Sequence, residues 1–270
     1  MQQRLTRGHG IIALIVCAAP LSFGFIIPVS LLMNWAIDTY SDVLGKDFYL
    51  LFFNSFLLAF ITSMLAVGIA LFMSYSNRNN QLLLNKIMVR LVSMGYAIPG
   101  TVIAVGVLIP FAWFDNSLDN FLIQNFNISS GLLVSGTVFI LIFAYLVRFL
   151  AVSINTVEAA LVKIKPVMDE VAKTTGMRAN NIIKSIHIPM MRGSLLTASL
   201  LVFVDVLKEL PATLILRPFN FNTLAVRTYE LANEELLAEA AVPALAIVIV
   251  GIIPVIIISN SISRSRPGHG

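Results

Sequence analysis

The stretch Glu170-Val-Ala-Lys-Thr-Thr-Gly176, followed after nine residues by Ile186-His-Ile-Pro189, is a charged, glycine-broken segment in an otherwise apolar chain. Glycine adopts positive φ without steric cost, so Gly176 is predicted to end one helix and to let a second, from about Ala179 to Ser185, leave at a new angle. Pro189 is predicted to stop that second helix. The segment should therefore form a two-helix knob projecting from the membrane surface. The apolar face predicted for the first helix consists of Ile164, Val167, Met168, Val171, Ala172 and Thr175.

The composition of the chain is that of an integral membrane protein. Of its 270 residues, 58% are hydrophobic and 12% are charged, and the mean hydropathy is +0.89. Charged residues make up about 25% of an ordinary soluble domain. We therefore predict an all-α, polytopic membrane protein with a single transmembrane domain over residues 1–270. The six predicted spans, each at least as long as the roughly 20 residues needed to cross hydrocarbon, are 11–34, 49–75, 88–113, 132–154, 193–216 and 241–261.

The first apolar segment is predicted to be a retained helix, because it is too long for a secretory signal and has no small-residue cleavage site. It contains Cys17, the only cysteine, which excludes an intrachain disulfide and a cysteine-rich metal site. We interpret Cys17 as a small apolar packing residue. Because His9, His187 and His269 are scattered along the sequence, no metal site is predicted either.

The positions of Lys and Arg predict the orientation, because positive loops stay in the cytoplasm. With both termini cytoplasmic, the outer loops keep only Lys46, Arg217 and Arg227 and gain most of the acidic residues. We therefore predict a multi-pass membrane protein with both termini cytoplasmic, in contact with lipid. Dispersal of the basic residues among loops argues against a nucleic-acid partner. The residues placed inside are Arg4, Arg7, Arg78, Lys86, Arg90, Arg148, Lys163, Lys165, Lys173, Arg178, Lys184, Arg192, Arg264 and Arg266.

Two segments between spans are longer than a tight turn, and both are predicted to be helical. The first is the cytoplasmic segment at about 155–192. The second, at about 222–239 on the outer side, has apolar residues near helical spacing among Arg and Glu. It is either a surface helix that caps a pathway or contacts a soluble partner, or a solvated connector. The C-terminal residues 263–270 are interpreted as a short basic anchor.

Charged residues interrupt the fifth predicted span at Asp205, Lys208 and Glu209, just before Pro211. Each such charge costs roughly 2.5 to 3.5 kcal/mol on insertion scales, which favours a position against protein or water. Asp205 and Lys208 can pair at i, i+3, which leaves Glu209 without a partner in its own turn. The charges form either a gate facing a pathway or an internal ion pair that holds span five to a neighbour.

A proline and a glycine in the third predicted span, Pro99 and Gly100, predict a kinked helix. Such a kink suits a position beside a translocation pathway, and simple close packing explains it equally well.

The knob segment resembles the coupling motif of permeases in ATP-binding-cassette (ABC) importers: Glu-Ala-Ala, three residues, Gly, nine residues, Ile, one residue, Leu-Pro. The resemblance implies that the knob docks in a groove on a separate ABC ATPase dimer, with Gly176 shaping the contact and Glu170 offering a charge. The positions that match with every spacing preserved are Glu170, Ala172, Gly176, Ile186 and Pro189, and the apolar departures are Val171 and Ile188.

The resemblance also implies that ATP and Mg²⁺ bind to the partner ATPase. No Gly-x4-Gly-Lys-Ser/Thr phosphate loop occurs in this sequence, so we predict that the chain is not itself an enzyme and holds no cofactor. A periplasmic or extracellular substrate-binding protein and a second permease half are implied as further partners, and the implied location is the bacterial inner membrane.

A longer run resembles one subgroup of these permeases, the ferric iron importers. The subgroup carries a run similar to Lys208–Phe219, then motifs similar to Thr223–Ala225 and Tyr229–Ala232. Segments 97–106 and 24–28 also resemble that subgroup. The cargo implied is ferric iron, with thiamine or polyamine importers sharing parts of the pattern. Ferric permeases of this kind commonly carry two six-span halves, and this sequence resembles the C-terminal half.

Two readings from other classes compete with the importer. An ion-coupled secondary transporter would use Asp205, Lys208 and Glu209 to relay ions, but that class carries internal repeats, and no second copy of the charged span is found. A membrane scaffold would explain the outer helix and not these charges. The sequence favours a permease subunit that forms part of a substrate pathway.

Overall fold

The structure is a computed structural model that describes residues 7–79 and 82–264. Within those ranges every regular element is helical. The predicted basic anchor lies outside the described residues from residue 265 onward, as do Arg4 and Arg266 of the orientation argument. In chain order the α-helices are α1 (Arg7–Leu21), α2 (Ile27–Val43), α3 (Lys46–Asn79), α4 (Leu83–Ser93), α5 (Gly100–Phe126), α6 (Val138–Leu161), α7 (Pro166–Thr174), α8 (Ala179–Ile182), α9 (Ile188–Leu207), α10 (Pro211–Leu216), α11 (Leu224–Asn233) and α12 (Leu237–Arg264).

Six helical stretches among the described residues are long and apolar enough to cross a membrane. An all-α polytopic fold with six spans is thereby confirmed. The spans are Gly8–Val43, Lys46–Asn79, Gly100–Phe126, Val138–Leu161, Ala179–Leu207 and Leu237–Ile256.

The first span is one continuous helix in which a π-helical turn, Ser22–Ile26, joins α1 to α2. Pro28 lacks an N–H, and a wider turn just before a proline accommodates the missing hydrogen bond. The helix continues to Val43, beyond the predicted limit of residue 34. The α2 half packs against α12.

The centre of the bundle consists of α3, α6 and α9, which pack against one another. Small residues make this possible, because transmembrane helices approach closely where side chains are short. Ala59, Ala66 and Ala70 of α3 and Ala144 of α6 are fully buried at these contacts. The three helices therefore form the packed centre of the bundle, against which other elements pack.

The third predicted span, 88–113, is wrong, because the chain breaks there instead of bending. Helix α4 ends at Ser93, a 3-10 turn follows, and Ile98 is extended with ψ 132°. A residue before proline is pushed out of the α region, so Pro99 starts a new helix rather than kinking an old one. The membrane span is α5, which begins at Gly100.

The fifth predicted span, 193–216, is also wrong at both ends. The span runs from Ala179 to Leu207, and a break at 208–210 separates it from α10. Pro189 does not stop a helix, because a π-turn at Ile183–His187 precedes it and continues into α9. The wide turn closes with the Ile188 N–H on the Ile183 carbonyl, and the chain tolerates the proline that follows.

The outer segment predicted at 222–239 contains a shorter helix, α11, which ends at Asn233. Glu235 takes a left-handed conformation with φ 64°, and α12 starts at Leu237. Leu224, Val226 and Leu231 of α11 are buried, and α11 packs against α12 and α3, as either a surface helix or a connector that shields the ends of spans would. Ser55 on α3 holds the start of α11 by accepting the Leu224 N–H at 2.8 Å.

Candidate functional site

Within the predicted coupling segment at about 155–192, we use the name coupling segment for residues 162–187, which lie between α6 and α9. It contains α7 and turns at Gly176 as the sequence predicts. Gly176 has φ +81°, a conformation that side chains disfavour. Its N–H donates to the Lys173 carbonyl at 3.0 Å, and the Met177 N–H donates to the Ala172 carbonyl at 3.2 Å. These two bonds are the Schellman arrangement, which satisfies the last carbonyls of a helix when glycine follows it.

The face that α7 turns to the bundle differs from the apolar face predicted for it. Val167 and Val171 are 60% and 57% exposed, and Met168 is 39% exposed. The buried positions are Asp169 and Ala172. The prediction holds for Ile164 and Ala172, which are buried. It fails for the other aliphatic side chains because the bundle offers a guanidinium and an imidazole at this place, so a carboxylate faces inward.

The inward face of α7 is held by a buried cluster that we call the carboxylate joint: Arg78, Asp169 and His187. Arg78 Nε donates to Asp169 Oδ2 at 2.8 Å, and His187 Nε2 lies 2.7 Å from Asp169 Oδ1. None of the three was a predicted site residue. The available signal was Asp169 and His187 lying within the matched motif, beside Glu170 and between Ile186 and Ile188.

The other predicted coupling residues lie around this joint with different exposures. Ile186 is half-buried and packs on the small apolar cluster of Tyr75, Ala172 and Ile182. Three further motif residues, Glu170, Ile188 and Pro189, are exposed. Together with Val171, Glu170 lies on the outward side of α7, where a partner could reach it.

The second candidate site lies where the two chain breaks meet α6. Arg148 Nη1 donates to Glu209 Oε1 at 2.6 Å, and the side chain of Glu209 is 6% exposed. Arg148 was predicted to be a cytoplasmic residue, and this is wrong, because it lies ten residues after the start of α6 at Val138, or about 15 Å along the helix. Gly100 lies beside the pair: a Cβ there would meet Glu209 Oε1 at 2.6 Å and would also meet Arg148 Nη1.

Further polar contacts close the break between α9 and α10. Thr213 Oγ1 donates to the Glu209 carbonyl, so the Tyr145 hydroxyl is the donor in its 2.5 Å contact with Thr213 Oγ1. The Ala212 N–H donates to the Glu209 carboxylate at 3.2 Å. The partners predicted to be missing for Glu209 are thus present, on its own turn and on α6.

The remaining predicted gate residues are arranged unevenly. Lys208 Nζ lies 2.9 Å from Asp205 Oδ1, which is the predicted i, i+3 pair, but the Lys208 side chain is 61% exposed. Pro211 occupies the first position of α10. Pro99 caps α5 and so places Gly100 at the ion pair. Glu209, Gly100 and the break before Pro211 therefore come together, whereas the Lys208 side chain is exposed and pairs with Asp205.

The end of the bundle near α10 and α11, which is predicted to be the outer end, carries a further charged group. Arg217 contacts Asn222 and donates to Glu230 at 3.0 Å, and Arg227 lies 3.7 Å from the same carboxylate. Over the described ranges, the structure brings no three His, Cys, Asp or Glu side chains together in a metal-binding arrangement.

Comparison with protein families gives a match over more than half of the chain. The profile of the family described as "Binding-protein-dependent transport system inner membrane component" matches residues 66–266. A protein of Haemophilus influenzae, "Fe(3+)-transport system permease protein FbpB 2", is 27% identical over 252 residues. The alignment covers 89% of this chain and 47% of that relative, so this chain spans about half of the relative's length.

Solved structures share the fold. A chain of a bacterial ABC transporter involved in the import of the acidic polysaccharide alginate superposes with a TM-score of 0.70 at 15% identity, covering 97% of both chains. A chain of the MetNI methionine ABC transporter, in inward-facing conformations, superposes with a TM-score of 0.54 at 14% identity. That match covers 80% of this chain and 99% of the other.

Proposed function

The chain belongs to the family of binding-protein-dependent transport system inner membrane components, and we propose that it is a permease subunit of an ABC importer for ferric iron. In this role it forms part of the substrate pathway and takes its energy from a separate ATPase. The family resemblance stated from the sequence motifs agrees with the profile match over residues 66–266.

The proposed coupling to an ATPase rests on one observation: the coupling segment has two chemically different faces. Its inward face is anchored through Asp169, while Glu170 and Val171 remain exposed on the outward face. Exposed aliphatic side chains beside a charge are what a protein partner can cover, because burial of apolar surface stabilises association. We propose that this outward face docks on an ABC ATPase dimer, which binds ATP and Mg²⁺.

The pathway in this proposal passes the Arg148–Glu209 pair. Charged residues inside a membrane span mark pathways or ion pairs that support them. Here an ion pair lies at two chain breaks, and broken helices within a membrane bundle are tolerated where they are covered by protein or line an aqueous cavity. We propose that Gly100, Glu209 and Pro211 form a gate that opens when the breaks move apart.

The cargo and the remaining partners are inferred from similarity. The relative named for Fe(3+) transport supports ferric iron, although this chain spans 47% of its length. The family description supports a substrate-binding protein on the outer side. A second permease half, either another copy of this chain or a different chain, would complete the pathway.

The test is purification of the tagged chain from its native membrane after gentle crosslinking, followed by mass spectrometry and reconstitution into liposomes. We expect an ABC ATPase and a substrate-binding protein to accompany it, and radioactive ferric iron to enter the liposomes only with ATP. A non-hydrolysable ATP analogue is the control. Uptake that ignores ATP and follows an ion gradient would instead support a secondary carrier.

The same preparation separates the cargo and pairing alternatives. Excess thiamine or polyamine should leave ferric iron uptake unchanged. Competition by either compound would indicate that this compound is a substrate. The copy number of this chain in the purified complex distinguishes self-pairing, with two copies, from pairing with a different permease half.

A further inference from the structure

The Asp169 carboxylate connects four parts of the chain at the coupling end of the bundle. It lies on α7, and it bonds to Arg78 at the end of α3 and to His187 at the end of the π-turn before α9. Arg78 also donates to the carbonyls of Leu161 at 2.6 Å and Ile164 at 2.8 Å. The last carbonyls of a helix lack partners within it, so Arg78 completes the end of α6 while it holds α7.

The joint is buried enough to act as a fixed connection. His187 is fully buried, and the side chains of Asp169 and Arg78 are 12% and 17% exposed. Charge-assisted hydrogen bonds are about twice as strong as neutral ones, and removal of one partner leaves the other charge buried without compensation. Rearrangement at this place is therefore more costly than at a solvated ion pair.

The imidazole of His187 has one clear partner. Its Nδ1 has no hydrogen-bond partner among the described residues, so a proton on Nδ1 would be a buried, unsatisfied N–H. The favoured tautomer therefore carries its proton on Nε2, which faces Asp169. The Tyr75 ring stands edge-on to the imidazole, with 5.2 Å between ring centroids. His187 is thus held in one orientation, as a donor to the carboxylate.

We propose that Asp169 is a positioning residue that makes the coupling segment move as one body with the ends of α3, α6 and α9. Movement of an ATPase against the outward face, at Glu170 and Val171, is then carried into the spans as a rigid-body tilt. Besides the joint, α7 contacts the bundle through the small apolar cluster of Tyr75, Ala172 and Ile182 and through an exposed hydrogen bond from Lys173 Nζ to Asn79 Oδ1 at 2.6 Å. This inference rests on the proposed function, since it assumes an ATPase on the outward face.

A distance measurement tests the joint without ATPase or cargo. In a Cys17→Ser background, spin labels at V167C on α7 and F72C on α3 occupy exposed positions, 60% and 71% accessible in the parent chain. We expect one narrow distance distribution in the parent and a broader or shifted one with Asp169→Asn. The matched control is Asp38→Asn, an exposed aspartate on α2. An unchanged distribution in a folded Asp169→Asn protein would overturn the proposal.

A second pair of variants keeps the test valid if Asp169→Asn fails to fold. His187→Gln retains a donor close to the Nε2 position, whereas His187→Ala removes it. We expect the distribution to stay narrow in the glutamine variant and to broaden in the alanine variant. Equal broadening in both would mean that the ring's packing, and not its bond to Asp169, holds α7.

A functional readout then separates this inference from the proposed function. With the ATPase that copurifies, Asp169→Asn should keep binding and ATP hydrolysis but lower the ferric iron moved per ATP by roughly tenfold, within the range typical of coupling between sites. If the wild-type chain copurifies no ATPase, the proposed function fails. If it does and the variant keeps the wild-type ratio, only the joint fails.

Discussion

Gly176 is the residue at which conformation alone governs the shape of the coupling segment. No atom lies within 4 Å of the place that a Cβ on residue 176 would take, so there is room for a side chain. The backbone φ of +81° is nevertheless unfavourable for any residue that has a side chain. Left-handed conformation costs most residues roughly 1–2 kcal/mol, and asparagine tolerates it better than others. We expect Gly176→Val to abolish ferric iron uptake and weaken copurification of the ATPase, while membrane insertion persists.

The matched variant at this position is Gly176→Asn, which should retain most of the uptake. Similar losses in both variants would show that a side chain at this position disturbs the docking surface itself. Wild-type uptake in Gly176→Val would contradict a role of the turn in coupling.

At Gly100 a larger side chain is excluded by neighbouring atoms rather than by the backbone φ. An added Cβ would meet the Arg148–Glu209 pair, and overpacking of this kind typically costs about 1–3 kcal/mol. We expect Gly100→Ala to lower the melting temperature in detergent and to reduce uptake. Gly106→Ala, on the same helix with nothing within 4 Å of its Cβ, should leave both unchanged. A Gly100 variant that behaves like the Gly106 variant would argue against close packing at the pair.

At the scale of elements, the Arg148–Glu209 ion pair joins the break at 208–210 to α6, and Gly100, which follows the break before α5, lies beside the pair. Removing one partner of a buried pair typically costs about 3–5 kcal/mol, because the other charge is left unpaired. Glu209→Gln should therefore lower thermal stability measurably, and uptake should fall without release of the ATPase.

The double variant Arg148→Gln/Glu209→Gln distinguishes a structural pair from a gate. If the pair serves only to hold α6 to the break, the double variant should recover both stability and uptake. We expect recovery of stability with uptake still impaired, as a gate requires. If the double variant loses as much stability as the two single variants combined, the two side chains do not interact.

At the scale of the whole molecule, the predicted topology has the coupling segment in the cytoplasm and the segment between α10 and α11 on the outer side of the membrane. Val162 and Phe219 are 83% and 97% exposed and lie on those two sides. In a Cys17→Ser background, a membrane-impermeant maleimide should label F219C in intact spheroplasts and V162C only after permeabilisation. The reverse labelling would invert the topology predicted from Lys and Arg.

Several properties of this protein are readable from its sequence alone. In hydrocarbon every backbone N–H and C=O must be paired, so an apolar run of sufficient length specifies a helix whatever surrounds it. The all-α class and the number of spans follow from that local condition, but the bounds of the third and fifth spans do not. The turn at Gly176 is equally local, because positive φ depends on one residue and its neighbours. Motif spacing was sufficient to identify the family.

Tertiary structure alone decided which charges that are distant in sequence meet. Arg148 and Glu209 are 61 residues apart in sequence, and Arg78 and Asp169 are 91 apart. Helical periodicity states which residues share a face but not what that face will contact. Asp169 faces inward because Arg78 donates to it there, and Arg148 lies within a span because Glu209 compensates its charge. Such partners exist only once distant helices pack, which is why no local pattern revealed them.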